Sequence, residues 1–409
     1  MTNTTTIFKS AKILLPKEGT DLVKWAVVAC DQFTSEPAYW AKCEEIIGDA
    51  PSAYNFILPE AYLETEKEAL HGKKITESMN AFSEADMKPF DGILYIERTL
   101  PGGTVRHGMV GKIDLEAYDY SVGSTSPVRA TEATVLERIP PRCKVRSEAV
   151  VELPHILILI DDKQNIIGGL GAKKSSLSPL YDFELMQGGG RIAGWGVEGE
   201  ALNELLSNIA AYEDSTSGVV YAMGDGNHSL AAAKAHYENV KAALGEAAKE
   251  HPARYALCEI TALGDDSLVF EPIYRVMMNC DPDDVAAELG KITAAGKGAQ
   301  EITLVAGEKE EALHFPTPSH ALTVGTLQNF IDDYIKAHPG VKCDYIHGEN
   351  TTRELARAAG TVGFVFDGMD KSELFPYVEA HGALPRKTFS MGEAESKRYY
   401  LEMRKIVTD

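Results

Sequence analysis

The chain has 409 residues, 44% of them hydrophobic and 25% charged, with a formal net charge of −21. That length exceeds what one hydrophobic core usually supports, so two or more lobes are expected. The acidity argues against non-specific binding to nucleic acid or an anionic membrane surface, but leaves room for a small phosphorylated ligand held by two or three local cations. No apolar run approaches the roughly 20 residues of a bilayer span. Met1–Thr6 lacks the basic and apolar segments of a secretory signal, so a cytoplasmic protein is expected. The six cysteines are scattered without a Cys-x-x-Cys pair, which suits a reducing compartment and gives no zinc knuckle.

In chain order, Trp25–Cys30 reads as a short apolar strand, followed by helices over Glu36–Ile47 and Pro59–Gly72. A β-rich stretch runs from about Asp91 to Trp195. Within it, His155–Ile160 and Ile166–Gly169 flank Asp161–Asn165 and predict a hairpin. Gly188-Gly189-Gly190-Arg191 lacks the ending of a Walker loop and reads as a hairpin tip. A helix near Glu200–Tyr212 leads to a β-branched strand, Gly218–Met223. Leu230, Ala233, Tyr237, Val240 and Leu244 then recur on one helical face. Arg254–Ile260 and Leu268–Phe270 are strand-like. After Cys280 the pattern becomes helix, strand, helix, strand. The expected fold is α+β: a mixed, mostly antiparallel sheet core over 1–280 and a smaller α/β lobe over 281–409.

Between the central strand and its helix lies Met223-Gly224-Asp225-Gly226-Asn227-His228-Ser229-Leu230. A turn at a helix N-terminus presents free N–H groups and the positive end of the dipole to an anion. Gly224 and Gly226 permit a sharp turn and close backbone approach, although Asp-Gly is also a common turn dipeptide. Asp225 suits Mg²⁺ or a substrate proton, or else caps backbone N–H groups. Asn227 and Ser229 are natural N-cap residues. His228 would face whatever occupies the anion site, as a hydrogen-bond donor or proton carrier. His236, two turns on, reads as a surface or packing residue.

The chain resembles the bacterial and archaeal domain-of-unknown-function family 1015, whose members carry an Asp-Gly-(His/Asn)-His turn opening an Ala-rich helix. Ala130-Thr131-Glu132-Ala133-Thr134 resembles the family's His-Glu-x-Thr-like segment. Glu271-Pro272-Ile273-Tyr274-Arg275 resembles its Pro-x-His-Arg strand. Leu384-Pro385-Arg386-Lys387-Thr388 resembles its C-terminal Pro-x-Lys-Ser-Thr signature. The turn is also similar to the Asp-Gly-x-His-Arg loop of the ParB/sulfiredoxin-like superfamily, in which a comparable loop binds nucleotide phosphates and whose members include free-serine kinases. Two departures matter. Ser229 stands where arginine is common, and Tyr274 where histidine is common. Asn227 occupies the position of the sulfiredoxin cysteine, so sulfinic-acid repair by that route is not expected.

These resemblances imply a small-molecule phosphotransferase acting on a serine- or phosphoserine-type substrate, with ATP, ADP or another phosphoryl donor and Mg²⁺ as cofactors. The alternatives are a non-catalytic nucleotide- or metabolite-binding regulator and a phosphate-ester hydrolase. His228, Asp225 and Glu132 are the candidate catalytic groups, and Asp225 is the candidate metal ligand. Gly224, Gly226, Asn227, Ser229, Arg275, Arg386, Lys387 and Thr388 are the candidate ligand-binding residues. The bland readings stand beside them: a Thr-Glu helix start for Glu132, a solvated basic loop for Arg386–Thr388, and a structural ion pair for Arg275. Asp31, after the first apolar strand, is a further carboxylate of low specificity. The expected partner is a small molecule, with neither nucleic acid nor membrane.

Overall fold

The computed structural model describes residues 6–408; of the Met1–Thr6 start read above, Met1–Thr5 lie outside the described residues. The fold is α+β, as expected, and the chain divides into two compact units. The first comprises residues 1–268, 378–382 and 393–409, and the second 269–377 and 383–392.

The first unit is built on a mixed sheet. Its strands run in the order Ser178–Glu184, Arg191–Val197, Met87–Thr99, Val105–Asp114, Tyr255–Ala262, Leu157–Ile160, Tyr221–Asp225, Val128–Arg129 and Tyr118–Asp119. Most neighbours are antiparallel; Tyr255–Ala262 against Leu157–Ile160 is a parallel exception. Side chains alternate across a strand, so Met87–Thr99 serves two cores. Ile93 and Tyr95 join Leu205, Ile209, Leu230 and Ala233 from helices Gly199–Ser215 and Asn227–Leu244. Leu94 and Ile96 join Trp25, Trp40, Tyr54, Tyr399 and Tyr400. The Gly188–Gly190 run lies at the tip of the hairpin joining Ser178–Glu184 to Arg191–Val197, as its glycines predict.

The predicted hairpin at 155–169 does not form. Leu157–Ile160 pairs instead with Tyr255–Ala262 and Tyr221–Asp225, and Ile166–Ala172 is a short helix. The cause is local. The Asp162 carboxylate accepts hydrogen bonds from the N–H groups of Ile166 and Ile167 at 2.7 and 3.0 Å, which starts a helix rather than a strand. Gly171 then lets it pack tightly, since a Cβ there would lie 2.4 Å from the Tyr95 hydroxyl. The helix expected at 59–72 is displaced to Glu66–Ala81, with the Thr65 hydroxyl capping its first turn. Ile139–Glu148 is a helix inside the stretch read as β-rich. Pro140 and Pro141 sit in its first turn, where a missing N–H costs nothing. It packs against helix Asn227–Leu244.

The second unit has an antiparallel sheet with Phe270–Met278 between Lys342–His347 and Thr361–Val365. Helices Pro282–Leu289 and Thr323–Ala337 contribute Val285, Leu289, Leu327 and Ile331 to a core with Met277, Val362 and Phe364.

Candidate functional site

The central turn forms where Tyr221–Asp225 meets the eighteen-residue helix Asn227–Leu244. The strand's register shifts between Met223 and Asp225, a bulge at Gly224 that re-aims the carboxylate. Gly226 is the N-cap, at φ +80° and ψ +26°. Its carbonyl accepts from the N–H groups of Ser229 and Leu230, both at 3.0 Å. Neither Asn227 nor Ser229 caps the helix. The first-turn N–H groups of Asn227 and His228 have no acceptor within the helix. The Asn227 Oδ1 atom is buried with no hydrogen-bond partner.

Gly226 is required on two counts. Its φ lies in the left-handed region, and an added Cβ would sit 3.1 Å from the Cα of Ile156 and 3.4 Å from the His155 ring. Gly226→Ala is expected to cost about 1–2 kcal/mol from the conformation alone, with the steric term added. A urea-denaturation series on this variant checks it, and an unchanged midpoint would mean the turn relaxes freely.

Around the turn the first unit gathers groups that the sequence does not place together. Lys397 Nζ lies 3.2 Å from Asp225 Oδ2, with both side chains partly exposed. Asp225 Oδ1 accepts from the Gly226 N–H at 2.8 Å. Burial works to raise the Asp225 pKa. Lys397 and the Gly226 N–H outweigh it, so the carboxyl stays below its ordinary range. Asp225 is therefore a carboxylate at neutral pH, with Lys397 as its cationic partner. Among the described residues no group of three or more His, Cys, Asp or Glu is arranged to hold a metal.

His155, just before strand Leu157–Ile160, sits beside Gly226. Its Nε2 lies 3.1 Å from Ser229 Oγ and its Nδ1 lies 2.7 Å from the Tyr400 hydroxyl. The same hydroxyl lies 3.2 Å from Cys30 Sγ and accepts from the Cys30 N–H at 3.3 Å. Burial, with Asp31 adjacent, pushes the Cys30 thiol up to about 12, so it remains a neutral thiol. Burial likewise keeps the Tyr400 hydroxyl protonated.

His228 projects differently. Its Nε2 accepts from the Val135 N–H at 3.3 Å, which leaves the proton of the neutral ring on Nδ1. Burial lowers its pKa, and the Arg142 and Arg138 cations lower it further. Protonation would also break the bond from Val135. Arg142 comes from helix Ile139–Glu148 and pairs with Glu60 at 2.5 Å.

Of the other predicted residues, Glu132 is exposed in the loop after Val128–Arg129. That loop is tied to the turn's strand through the Thr131 hydroxyl, which donates to the Met223 carbonyl at 2.7 Å. Arg275, Arg386, Lys387 and Thr388 belong to the second unit, where two of the recognised segments meet. Arg275 is fully buried. Its Nε donates to Gln328 Oε1 at 2.8 Å, and its Nη2 donates to the carbonyls of Arg386 and Lys387, both at 3.1 Å. Thr388 Oγ1 donates to the Pro385 carbonyl at 2.6 Å, closing a turn in which Lys387 has φ +55°. Arg275 is thus committed to holding this turn, while the Arg386 and Lys387 side chains are exposed.

Sequence reasoning missed His155, Lys397 and Tyr400. The last two arrive on a C-terminal segment held by buried arginines. Arg98 Nη2 donates to the Glu395 carbonyl at 2.9 Å, and Arg106 Nη1 to the Ser396 carbonyl at 3.0 Å. Arg398, itself buried, pairs with Glu259 and Glu402.

A family model described as "Protein of unknown function (DUF1015)" matches residues 13–338, a span that ends before Lys397 and Tyr400. No curated protein matches the sequence. Among solved structures, a free serine kinase in complex with AMP is similar at 14% identity and a TM-score of 0.40, over 73% of this chain and 92% of its own. A conserved hypothetical protein from Pyrococcus furiosus is similar at 11% identity and a TM-score of 0.36, covering 73% and 95%. SbnI from Staphylococcus aureus, truncated at its C-terminus, is similar at 10% identity and 0.36, covering 69% and 82%.

Proposed function

We propose, for a chain that belongs to the DUF1015 family, a cytoplasmic phosphotransferase that binds a nucleotide or phosphorylated small metabolite at the Gly224–Ser229 turn. The observation that carries this reading is Lys397, placed 3.2 Å from Asp225 at the open end of helix Asn227–Leu244. Ser229 replaces the arginine common at its position, so the turn needs a cation from elsewhere, and Lys397 supplies it. Lysine is an effective point-charge partner for phosphate. The N–H groups of Asn227 and His228 and the helix dipole add to the anion's stabilisation. The Nδ1–H of His228 is a further donor.

Phosphoryl transfer mainly requires positioning and neutralisation of charge. Phosphate oxygens would lie on the turn's N–H groups and Lys397, with Asp225 fixing the lysine. A small hydroxy compound, serine or phosphoserine being the first choice, would be the other substrate. Mg²⁺ entering with the nucleotide would be held by phosphate oxygens and a carboxylate, Asp225 being the one at the turn.

A thermal-shift panel of ATP, ADP, CTP and pyrophosphate tests the reading. A ligand present at about 100 times its Kd stabilises the folded state by roughly 2.7 kcal/mol, a shift of several degrees. If none of the four raises the melting temperature, the phosphate site does not exist.

A further inference from the structure

Ser229, at the end of the turn, forms a connected set with His155 and Tyr400, to which the binding reading gives no chemical role. Ser229 Oγ lies 3.1 Å from His155 Nε2, and His155 Nδ1 lies 2.7 Å from the Tyr400 hydroxyl. That hydroxyl also reaches Cys30 Sγ at 3.2 Å. When Tyr400 donates to the neutral Cys30 sulfur, it accepts from His155 Nδ1–H. The lone pair on Nε2 is then directed at the Ser229 hydroxyl. This is the order that activates a serine: nucleophile, imidazole base, and a third group fixing the tautomer. Tyr400 is 2% exposed, so its hydroxyl is held by the protein rather than by solvent. Ser229 sits in the first turn of the helix, next to the N–H groups of Asn227 and His228, where charge on phosphorus-bound oxygens is stabilised.

We propose that Ser229 is a covalent nucleophile that accepts a phosphoryl group, with His155 as its general base. The proposal rests on the turn being a phosphate site. Ser229 Oγ bonds to the terminal phosphorus of a nucleoside polyphosphate or phosphomonoester while the bond from phosphorus to the leaving oxygen breaks. The Oγ proton passes to His155 Nε2 and from there to the leaving oxygen, which keeps the bonding pair. The acceptor's hydroxyl then attacks the phosphoserine, its proton passes to His155, and Ser229 Oγ leaves and recovers a proton from the imidazole. No electron acceptor or donor is needed.

Diisopropyl fluorophosphate is the probe, because attack by Ser229 forms the O–P bond, expels fluoride and delivers the same proton to His155. The expected result on the full chain is one adduct, mapped to Ser229 by peptide mass spectrometry and absent in Ser229→Ala. His155→Gln is expected to slow labelling by about 100-fold or more. Tyr400→Phe, a change at a positioning residue, should slow the bond-forming step at saturating probe while leaving probe affinity unchanged. Labelling at other serines with Ser229 untouched would overturn the proposal, as would labelling of His155→Gln at the parent rate. Should His155→Gln fail to fold, Ser229→Ala and Tyr400→Phe decide. Pyrophosphate separates the two layers. Stabilisation by pyrophosphate without any adduct removes the nucleophile alone. An adduct on Ser229 without stabilisation removes the phosphate site and with it the phosphoryl route.

Discussion

Replacing Arg398 with methionine is expected to destabilise the first unit by about 3–5 kcal/mol, the usual cost of breaking a buried ion pair from one side. The guanidinium is 3% exposed, and its partners Glu259 and Glu402 are 1% and 0% exposed. Its Nε also donates to the Pro154 carbonyl at 3.0 Å. Without it, Glu259 keeps Arg106, at 3.4 Å, and the weaker influence of Arg98, and Glu402 keeps the Tyr181 hydroxyl at 2.6 Å. Two buried carboxylates would then each have lost a cationic partner. A loss of that size lowers the melting temperature by roughly 5–9 °C for a unit of this length. Differential scanning calorimetry measures it directly. Adding Glu402→Gln to the same chain should recover part of the loss by removing one stranded charge.

The pH dependence follows from the same cluster. Burial alone would raise the Glu259 pKa, but Arg106, Arg398 and Arg98 hold it below its ordinary value. A carboxyl depressed in the folded state binds fewer protons there than in the unfolded chain. Its stabilisation is therefore complete above the unfolded pKa and is lost as pH falls through the folded one. Glu152, held down by Arg146 and Arg404 against its own burial, behaves alike. The parent protein should lose stability steeply on acidification below the ordinary carboxylate range. The Arg398→Met chain should show a shallower acid limb, because part of that contribution is already gone. An equally steep limb would mean that other carboxylates carry the acid transition.

Arg398 also shows why half the candidate site was not legible in the sequence. The turn, its strand and its helix were readable because each rests on local signals: β-branched residues before Gly224, two glycines, and an apolar repeat from Leu230 to Leu244. His155 was masked by the expectation of a hairpin. Hydrophobic alternation cannot distinguish Leu157–Ile160 pairing with its neighbour in sequence from pairing with Tyr221–Asp225. Lys397 and Tyr400 lie about 170 residues after the turn, and no period or motif relates them to it. One signal was present. Lys397–Arg404 sets two arginines and a glutamate among Tyr399, Tyr400, Leu401 and Met403, and charges inside an apolar stretch indicate buried pairing. Arg275 carried the opposite lesson. A cation at the end of an apolar strand suggested a ligand clamp, yet its donors hold the backbone of Arg386 and Lys387. A recognised segment can mark a fold contact as readily as a binding group.

Lys397→Met is expected to weaken pyrophosphate or nucleotide binding by about 10- to 100-fold, the range of one lost charge-assisted hydrogen bond. Its effect on stability should be small. The Lys397 and Asp225 side chains are 19% and 29% exposed, and a partly solvated pair contributes about 1 kcal/mol or less. Binding and folding therefore part company at this residue. Isothermal titration with pyrophosphate, beside the melting temperature of the same sample, gives both quantities. Asp225→Asn sharpens the test, because it frees Lys397 from its partner without removing the cation. If the carboxylate serves only to aim the lysine, Asp225→Asn should weaken binding less than Lys397→Met, and the double variant should bind no worse than Lys397→Met alone. That non-additivity is the signature of two groups acting through one contact. Parent-like pyrophosphate affinity in Lys397→Met, with a melting temperature several degrees lower, would make the pair a clamp on the C-terminal segment. The turn would then lack the cation that the proposed phosphate site requires.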